Sequence, residues 1–555
     1  MTPPSGGWED GRVSQQPPAE QHPVEQSPSE HPPAAPSPAD RPEPDAVARA
    51  RATRVVVVGG GVAGLVAALE WARIGATVTV LEASDRFGGA VETVTLDGLP
   101  VDLVADALPH RAAAHDAAAR GAPAIDALLD ELGLRELIEP AAQNPVWVVG
   151  AGGTSDAAPL PTASVLGIPA NPWADDVRRI IGWRGAWRAY LDRLRPPLTI
   201  GHERSLGRLV RTRMGDRVAD RLVAPLTRGL YGVEPDDIDV EIAAPGLSTA
   251  LTRTGSLAGA VAALLPDDPT DHAPTRVTLR GGLAALPGAL VARLRDLGAQ
   301  LRTDAEVVSL ARSGGAWAVG VSSESAGEHA PDPLAADVVV MAVGGAPASG
   351  LLAGAGIDVP APSVRLRDVV TLVVDAPALD ASPRGRAVYP IAASLAIAPA
   401  AAVALVDATA DWPWLAAAAG PGRHVLRVSL TPADSAAAAI AATPVASDAN
   451  TDTVLTSAAR AAEHLLGVEL GEPRAAAHRR IALELPASAL DHAARTADVR
   501  RAAARHPGLS IVGAWMSGSG LAQVIADAIA ESDRVRSAVL WGRPRWPRAD
   551  HGADE

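Results

Sequence analysis

Three glycines and one acid are the first residues in this chain with recognisable chemistry. Gly59, Gly61 and Gly64 stand in the spacing G-x-G-x-x-G, and Glu82 follows about 20 residues later. Backbone amides with no side chain in front of them can surround a pyrophosphate, and a carboxylate at that distance can accept the hydroxyls of a ribose. The chemistry is dinucleotide binding.

Those four residues need elements to place them. Val55 to Val58 is apolar and β-branched at each position, which predicts a parallel strand buried on both faces. Gly59 then makes the tight turn, Gly61 lets the backbone approach a phosphate, and Gly64 lets the next helix lie close to the strand. That helix, about Val62 to Ile74, aims its free N–H groups and positive dipole end at the ligand. Thr77 to Leu81 returns as a second strand ending in Glu82. A lone glycine turn would be weak evidence; strand, turn, helix, strand and acid in this order make a specific signal.

The following residues point to the dinucleotide. Arg86-x-Gly88-Gly89, followed by Thr93, resembles the second glycine doublet of FAD-dependent oxidoreductases of the amine oxidase and protoporphyrinogen oxidase superfamily. The resemblance implies FAD, held along Gly59, Gly60, Gly61, Val62, Ala63 and Gly64, at Glu82 and Ala83, and at Gly88 and Gly89. A basic residue usually follows the doublet in that family. Ala90 stands there here, which leaves Arg86 as the implied phosphate partner.

Composition narrows the rest. A chain of 555 residues that is 48% hydrophobic can fill two or three domains. Cysteine is absent, which excludes disulfides, thiolate metal sites, iron–sulfur clusters and cysteine nucleophiles, and no metal site is expected. Lysine is absent too, so all 49 basic residues are arginines. A net charge of -15 argues against nucleic acid as a partner. Residues 1 to 50 hold eight acids, three arginines and 12 prolines, and read as a disordered tail. The longest apolar run, Ala392 to Val406, is too short for a membrane span and contains Pro399, so a cytoplasmic protein is expected.

Further blocks narrow the resemblance to protoporphyrinogen and coproporphyrinogen oxidases. Leu96 to Leu108 turns at Asp97-Gly98, and the run Leu128 to Ile138 (LLDELGLRELI) continues a helical pattern that Gly133 breaks. Pro159-Leu160-Pro161, Gly167-Ile168-Pro169 and the helical block Ser205 to Tyr231 are similar to that family's segments, as are Arg280-Gly281-Gly282 and Leu286-Pro287. A strand is expected to end near Val307-Val308, whose backbone in such flavoproteins meets the adenine. Pro507 to Asp527 reads as strand, glycine-rich turn and helix. It resembles the family's C-terminal flavin motif, with Gly513, Ala514, Gly520 and Leu521 at the turn.

The expected architecture is α/β. A Rossmann-like FAD domain is assembled from residues 51–108, 276–345 and 495–540, with a helical subdomain at 109–245 and a mixed-sheet substrate domain at 246–275 and 346–494. Residues 541–555 form a second tail. Between Asp175 and Arg195, Ile180, Trp183, Trp187, Tyr190 or Leu191, and Leu194 form one helical stripe among six arginines. A core helix with a solvated basic face is the preferred reading, and a helix lying on a membrane surface the alternative.

The resemblance implies oxidation of a porphyrinogen, a small tetrapyrrole, with dioxygen as acceptor; coproporphyrinogen III is favoured over protoporphyrinogen IX. The flavin performs that chemistry, and no catalytic side chain is assigned. Arginine forks suit the substrate's propionates, and Arg111, just after Asp102 and Asp106, is the candidate. Departures gather on the substrate side. Ala487, Ser488 and Asp491 replace the Gln, Tyr and Gly of a block that retains Pro486 and His492, and His492 reads better as a satisfied structural histidine. A diverged FAD protein with another substrate, or no turnover, is the second hypothesis. Flavin amine oxidases place a lysine near the flavin, and this chain has none.

Overall fold

A computed structural model of the chain describes residues 44–109, 122–151, 156–195, 203–265, 276–322, 332–391, 396–397, 400–432, 448–483 and 485–541. The first sheet contains β1 (Arg54–Val58), β2 (Thr77–Leu81), β3 (Gln300–Arg302), β4 (Val338–Met341) and β5 (Leu509–Ile511), all parallel, in the order β3-β2-β1-β4-β5. Val55 lies beside both Val78 and Val338, and Val339 beside Leu509. The valine run divides between the faces. Val55 and Val57 pack under the helix Val62–Ala72, while Val56 and Val58 meet Leu310 and Trp317 on the other side. The helices Ala285–Asp296 and Leu521–Trp541 pack against Val62–Ala72, which is buried along its whole length.

The second sheet is mixed. Its order runs Ala475–Leu483, Arg365–Asp375, Arg423–Pro432, Ala400–Asp407, Ala387–Pro390, Val146–Val149, Ala157–Pro159, with Ala396–Ile397 paired on Ala400–Asp407. Val370, Leu372, Val374, Leu426, Val428 and Leu430 pack with the helix Asp448–Leu466. Their odd-numbered neighbours Thr371, Val425 and Arg427 face the hairpin Thr93–Leu96/Leu99–Asp102. Period-two alternation thus gives this sheet one apolar face and one face that carries charge towards the nucleotide side.

A helical body forms the third part. Leu206–Met214, Asp216–Tyr231, Leu247–Thr254 and Leu257–Leu264 share one core with Val177 and Ile180. Arg213 and Asp192 make an ion pair inside it at 3.0 Å, both almost wholly buried.

The observed layout differs from the expected one at five places. Pro44–Ala52 is helical, with Ala46 and Ala50 buried at i, i+4 spacing, so order begins before residue 51. Val146–Val149 and Ala157–Pro159, placed in the helical range, join the mixed sheet because Val146–Val149 pairs with Ala387–Pro390. The helices between 247 and 264 join the helical core rather than the substrate domain. The strand before Val307 ends at Arg302, and Val307 opens a new strand, Val307–Ser313. Finally, the stripe from Ile180 to Leu194 is not one buried face. Gly182 leaves the helical conformation at φ 68°, and beyond it the small residues Gly185, Ala186 and Ala189 turn inward. Trp183, Trp187, Tyr190 and Leu194 are exposed, and three of them cluster around Trp173.

Candidate functional site

Because the five strands are parallel, their C-terminal ends open on one edge of the sheet, where α/β folds bind ligands. Gly59, Glu82 and Gly513 follow β1, β2 and β5 at that edge. Gly59 has φ 103°, and a Cβ there would lie 2.7 Å from the Ala342 carbonyl. A Cβ on Gly64 would lie 2.0 Å from the Gly59 carbonyl, so only glycine lets helix and turn meet. Gly61 is different: its Cβ would meet nothing nearer than the Gly89 Cα at 3.9 Å. Space is left open between the two glycine backbones, and Gly61 and Gly88 are joined by a parallel bridge. No side chain caps the helix that begins at Val62, so the N–H groups of its first turn are left for a ligand. These features fit the pyrophosphate of FAD.

Glu82 is half-buried and already ordered. Its Oε2 accepts the Gly60 N–H at 2.7 Å, and its Oε1 accepts the Ser84 N–H and hydroxyl. Three of roughly four acceptor sites are used, which leaves one for a ribose hydroxyl. Ala83 beside it is exposed. The Asp304 and Ala305 N–H groups donate to the Ser84 and Glu82 carbonyls, which brings the start of the Val307 strand beside the acid. Val308 is exposed and does not join that core. Arg86 donates to the Gly89 carbonyl and pairs with Glu92 at 3.2 Å, so its guanidinium holds the doublet loop in shape.

The C-terminal turn is braced from outside. Gly513 has φ 123°, and Ala514–Ser517 forms a single helical turn before Gly518. A Cβ on Gly518 would collide with Ala487 at 2.7 Å. His492 is buried, and its Nε2–H donates to the Met516 carbonyl at 3.1 Å. Burial pushes that imidazole below the ordinary histidine range, so it is neutral and serves as a donor. It is thus a structural histidine, and its partner lies in the turn. Gly520 and Leu521 lead into the helix Leu521–Trp541, whose Arg536 donates to the Glu70 carbonyl at 3.3 Å.

Under the mixed sheet the structure assembles a charge network with little trace in local sequence. Asp102 accepts from the Thr93 hydroxyl and the Leu283 N–H. Burial pushes its carboxyl up to about 6 despite those donors. Burial also works to raise Asp106, but Arg427 and Arg276 override it and hold the carboxyl below the usual range. Arg276 grips Asp411 with two hydrogen bonds, at 2.8 and 3.1 Å, and stacks over Trp412. Arg386 stands 3.8 Å from the same carboxylate. Arg276 and Arg386 line a cavity of about 670 Å³ that also touches Asn144, Thr162, Gly167 and Leu226. Gly281 and Gly282 close the strand that starts at Arg276, and Gly282 packs on Thr93, four residues from the doublet. Arg111 lies outside the described residues.

Comparison with known proteins agrees with this geometry. The family model of flavin containing amine oxidoreductases matches residues 62–536. Coproporphyrinogen III oxidase of Propionibacterium freudenreichii subsp. freudenreichii is 28% identical over 563 aligned positions, covering 93% of this chain and 96% of the relative. The enzyme of the same name from Mycobacterium bovis is 33% identical over 246 residues, 43% of this chain and 50% of its own length. A structure from Exiguobacterium sp. 255-15, provisionally assigned as a protoporphyrinogen oxidase, has a TM-score of 0.71 at 23% identity, covering 87% of this chain and 98% of that one. A putrescine oxidase mutant with redesigned cofactor binding has 0.55 at 15%, covering 88% and 99%. At such identities the structural likeness establishes the fold alone.

Proposed function

Because the chain belongs to the flavin containing amine oxidoreductases, we propose that it oxidises a porphyrinogen to the porphyrin, with coproporphyrinogen III preferred over protoporphyrinogen IX and dioxygen as the final acceptor. It is an FAD-dependent oxidoreductase. The likeness to a coproporphyrinogen III oxidase, which runs nearly end to end in both chains, is the observation that carries the substrate assignment. When bound, FAD supplies the two-electron acceptor, and the protein's part is binding, orientation and exclusion of water. In this reading Gly59 to Gly64 and the Gly88-Gly89 doublet hold the pyrophosphate, Glu82 takes the ribose, the backbone at Val307 flanks the adenine, and the turn from Gly513 to Gly520 faces the ring. The helix beginning at Leu521 points its positive end at charge that develops there. The lysine that amine substrates call for in this superfamily is missing from the chain, which argues for the porphyrinogen.

The test is anaerobic. Coproporphyrinogen III is expected to bleach the flavin and release porphyrin fluorescence, with protoporphyrinogen IX slower. A yellow protein that neither substrate reduces would leave a flavin protein with another substrate or none.

One surface favours a partner besides the tetrapyrrole. The exposed Trp183, Trp187, Tyr190 and Leu194 are flanked by exposed Arg179, Arg184, Arg193 and Arg195, the mix that docks on an anionic lipid surface. No described helix is long and apolar enough to cross a membrane. Trp183→Ser with Trp187→Ser should abolish co-sedimentation with phosphatidylglycerol vesicles. Absence of binding by the unaltered protein would rule out the contact.

A further inference from the structure

Arg386 is an unusual arginine. Its side chain is only 25% exposed, and among the described residues its guanidinium makes no hydrogen bond. The carboxylate it approaches, Asp411, is already bidentate to Arg276. Burial therefore presses the Arg386 guanidinium downward from its ordinary range, and the adjacent Arg276 adds to that pressure. Arg386 borders an open cavity of about 670 Å³. Its guanidinium has only a long ion pair, 3.8 Å, to a carboxylate that Arg276 already holds with two hydrogen bonds. A half-buried guanidinium with its N–H donors unused is costly, so the arrangement suits a site whose ligand brings the acceptor.

The surroundings are rigid. The Arg386 N–H donates to the Pro145 carbonyl and its own carbonyl accepts the Asp407 N–H, which fixes the backbone at the start of Ala387–Pro390. Asn144, on the same wall, is tied to the Ala410 carbonyl at 2.7 Å. A planar fork fixed at its base, with no hydrogen bond at its tip, is built for a bidentate carboxylate.

We propose that Arg386 seats a carboxylate of the ligand that occupies this cavity, with the Arg276–Asp411 pair holding the wall behind it. The inference rests on the porphyrinogen reading in one respect only: it takes that carboxylate to be a propionate arm of the tetrapyrrole. Arg386 is then a positioning residue, since it holds an arm of the substrate away from the bonds that are oxidised.

The experiment titrates the FAD-loaded enzyme and its Arg386→Met and Arg386→Lys variants with coproporphyrin III and with its tetramethyl ester, read by porphyrin fluorescence. Arg386→Met should weaken binding of the acid about tenfold or more, as loss of a charge-assisted pair requires, and leave the ester unchanged. Arg386→Lys should fall between. Without ligand, Arg386→Met should melt close to the unaltered protein, because it loses one long ion pair and no hydrogen bond. Equal affinity of Arg386→Met and the unaltered enzyme for the acid would overturn the proposal. So would a marked loss of thermal stability in ligand-free Arg386→Met, which would make Arg386 a structural residue, or an unaltered enzyme that binds neither compound. If porphyrinogens fail to reduce the flavin while acid binding still depends on Arg386, the turnover reading falls and the seat stands.

Discussion

The nucleotide edge and the charge network under the mixed sheet solve different problems. At the edge, the proposed function belongs to backbone: Gly59, Gly61, Gly64, Gly88 and Gly513 matter there for the side chains they lack. In the network, the architecture belongs to side chains from segments far apart, since Asp102 and Asp106 meet Arg276, Asp411 and Arg427 only after folding. A backbone site is specified by short spacings and tolerates divergence elsewhere. A side-chain network can be rewired one charge at a time.

The largest effect that tests this contrast lies at the edge. Gly61→Val should fold, because no protein atom lies within 3 Å of an added Cβ, and yet purify colourless; retained FAD would misplace the pyrophosphate. The network's counterpart is Asp411→Ala, which strands Arg276 and Arg386 together. A loss of about 3–5 kcal/mol in urea unfolding is expected, as for other broken buried pairs. An effect near zero would mean that the network is solvated and not a core.

Asp102 gives a smaller, pH-dependent effect. Its carboxyl is raised in the folded protein to about 6 from an ordinary 3.8, so the protonated form is favoured there. Its contribution is full below the ordinary carboxylate range and is lost as pH rises through about 6, a swing of about 3 kcal/mol. Asp102→Asn should remove that slope from the stability curve between about pH 4 and 6; an unchanged slope would assign it elsewhere. The smallest change links the two regions. His492→Phe should cost about 1–2 kcal/mol of stability through the lost bond to Met516 and speed FAD release, with turnover per bound flavin little altered. Normal flavin retention would separate His492 from the turn.

Legibility in the sequence follows the same division. Gly59 to Glu82 is legible because a turn, a helix start and an acid at fixed offsets fit little besides a dinucleotide, and the C-terminal turn becomes legible beside it. Val307 lies one strand beyond its expected place, since the break after Arg302 is set by backbone bonds to Glu82 and Ser84 that no local pattern announces. The Trp183 to Leu194 stripe misleads for a similar reason. Helical spacing assumes an unbroken helix, and Gly182 resets it. In the network, Asp102 and Asp106 are visible as a spaced pair, but the arginines that face them, Arg276 and Arg427, lie far along the chain. Arg276 and Arg386 sit in unremarkable surroundings, and the one local hint for Arg386 is the buried strand Ala387–Pro390 that begins beside it.

The strand order carries a consequence for how the protein is made. β1 and its glycine turn leave the ribosome early, while β5 and the helix that packs on Val62–Ala72 leave near the end. Until then β4 is an open parallel edge, and the pocket lacks the wall that Gly513 begins. If the turn at Gly513 is part of the flavin site, as proposed, cofactor capture waits for the end of synthesis, and a chain truncated before Leu509 should emerge as an aggregation-prone apoprotein however intact its nucleotide motif.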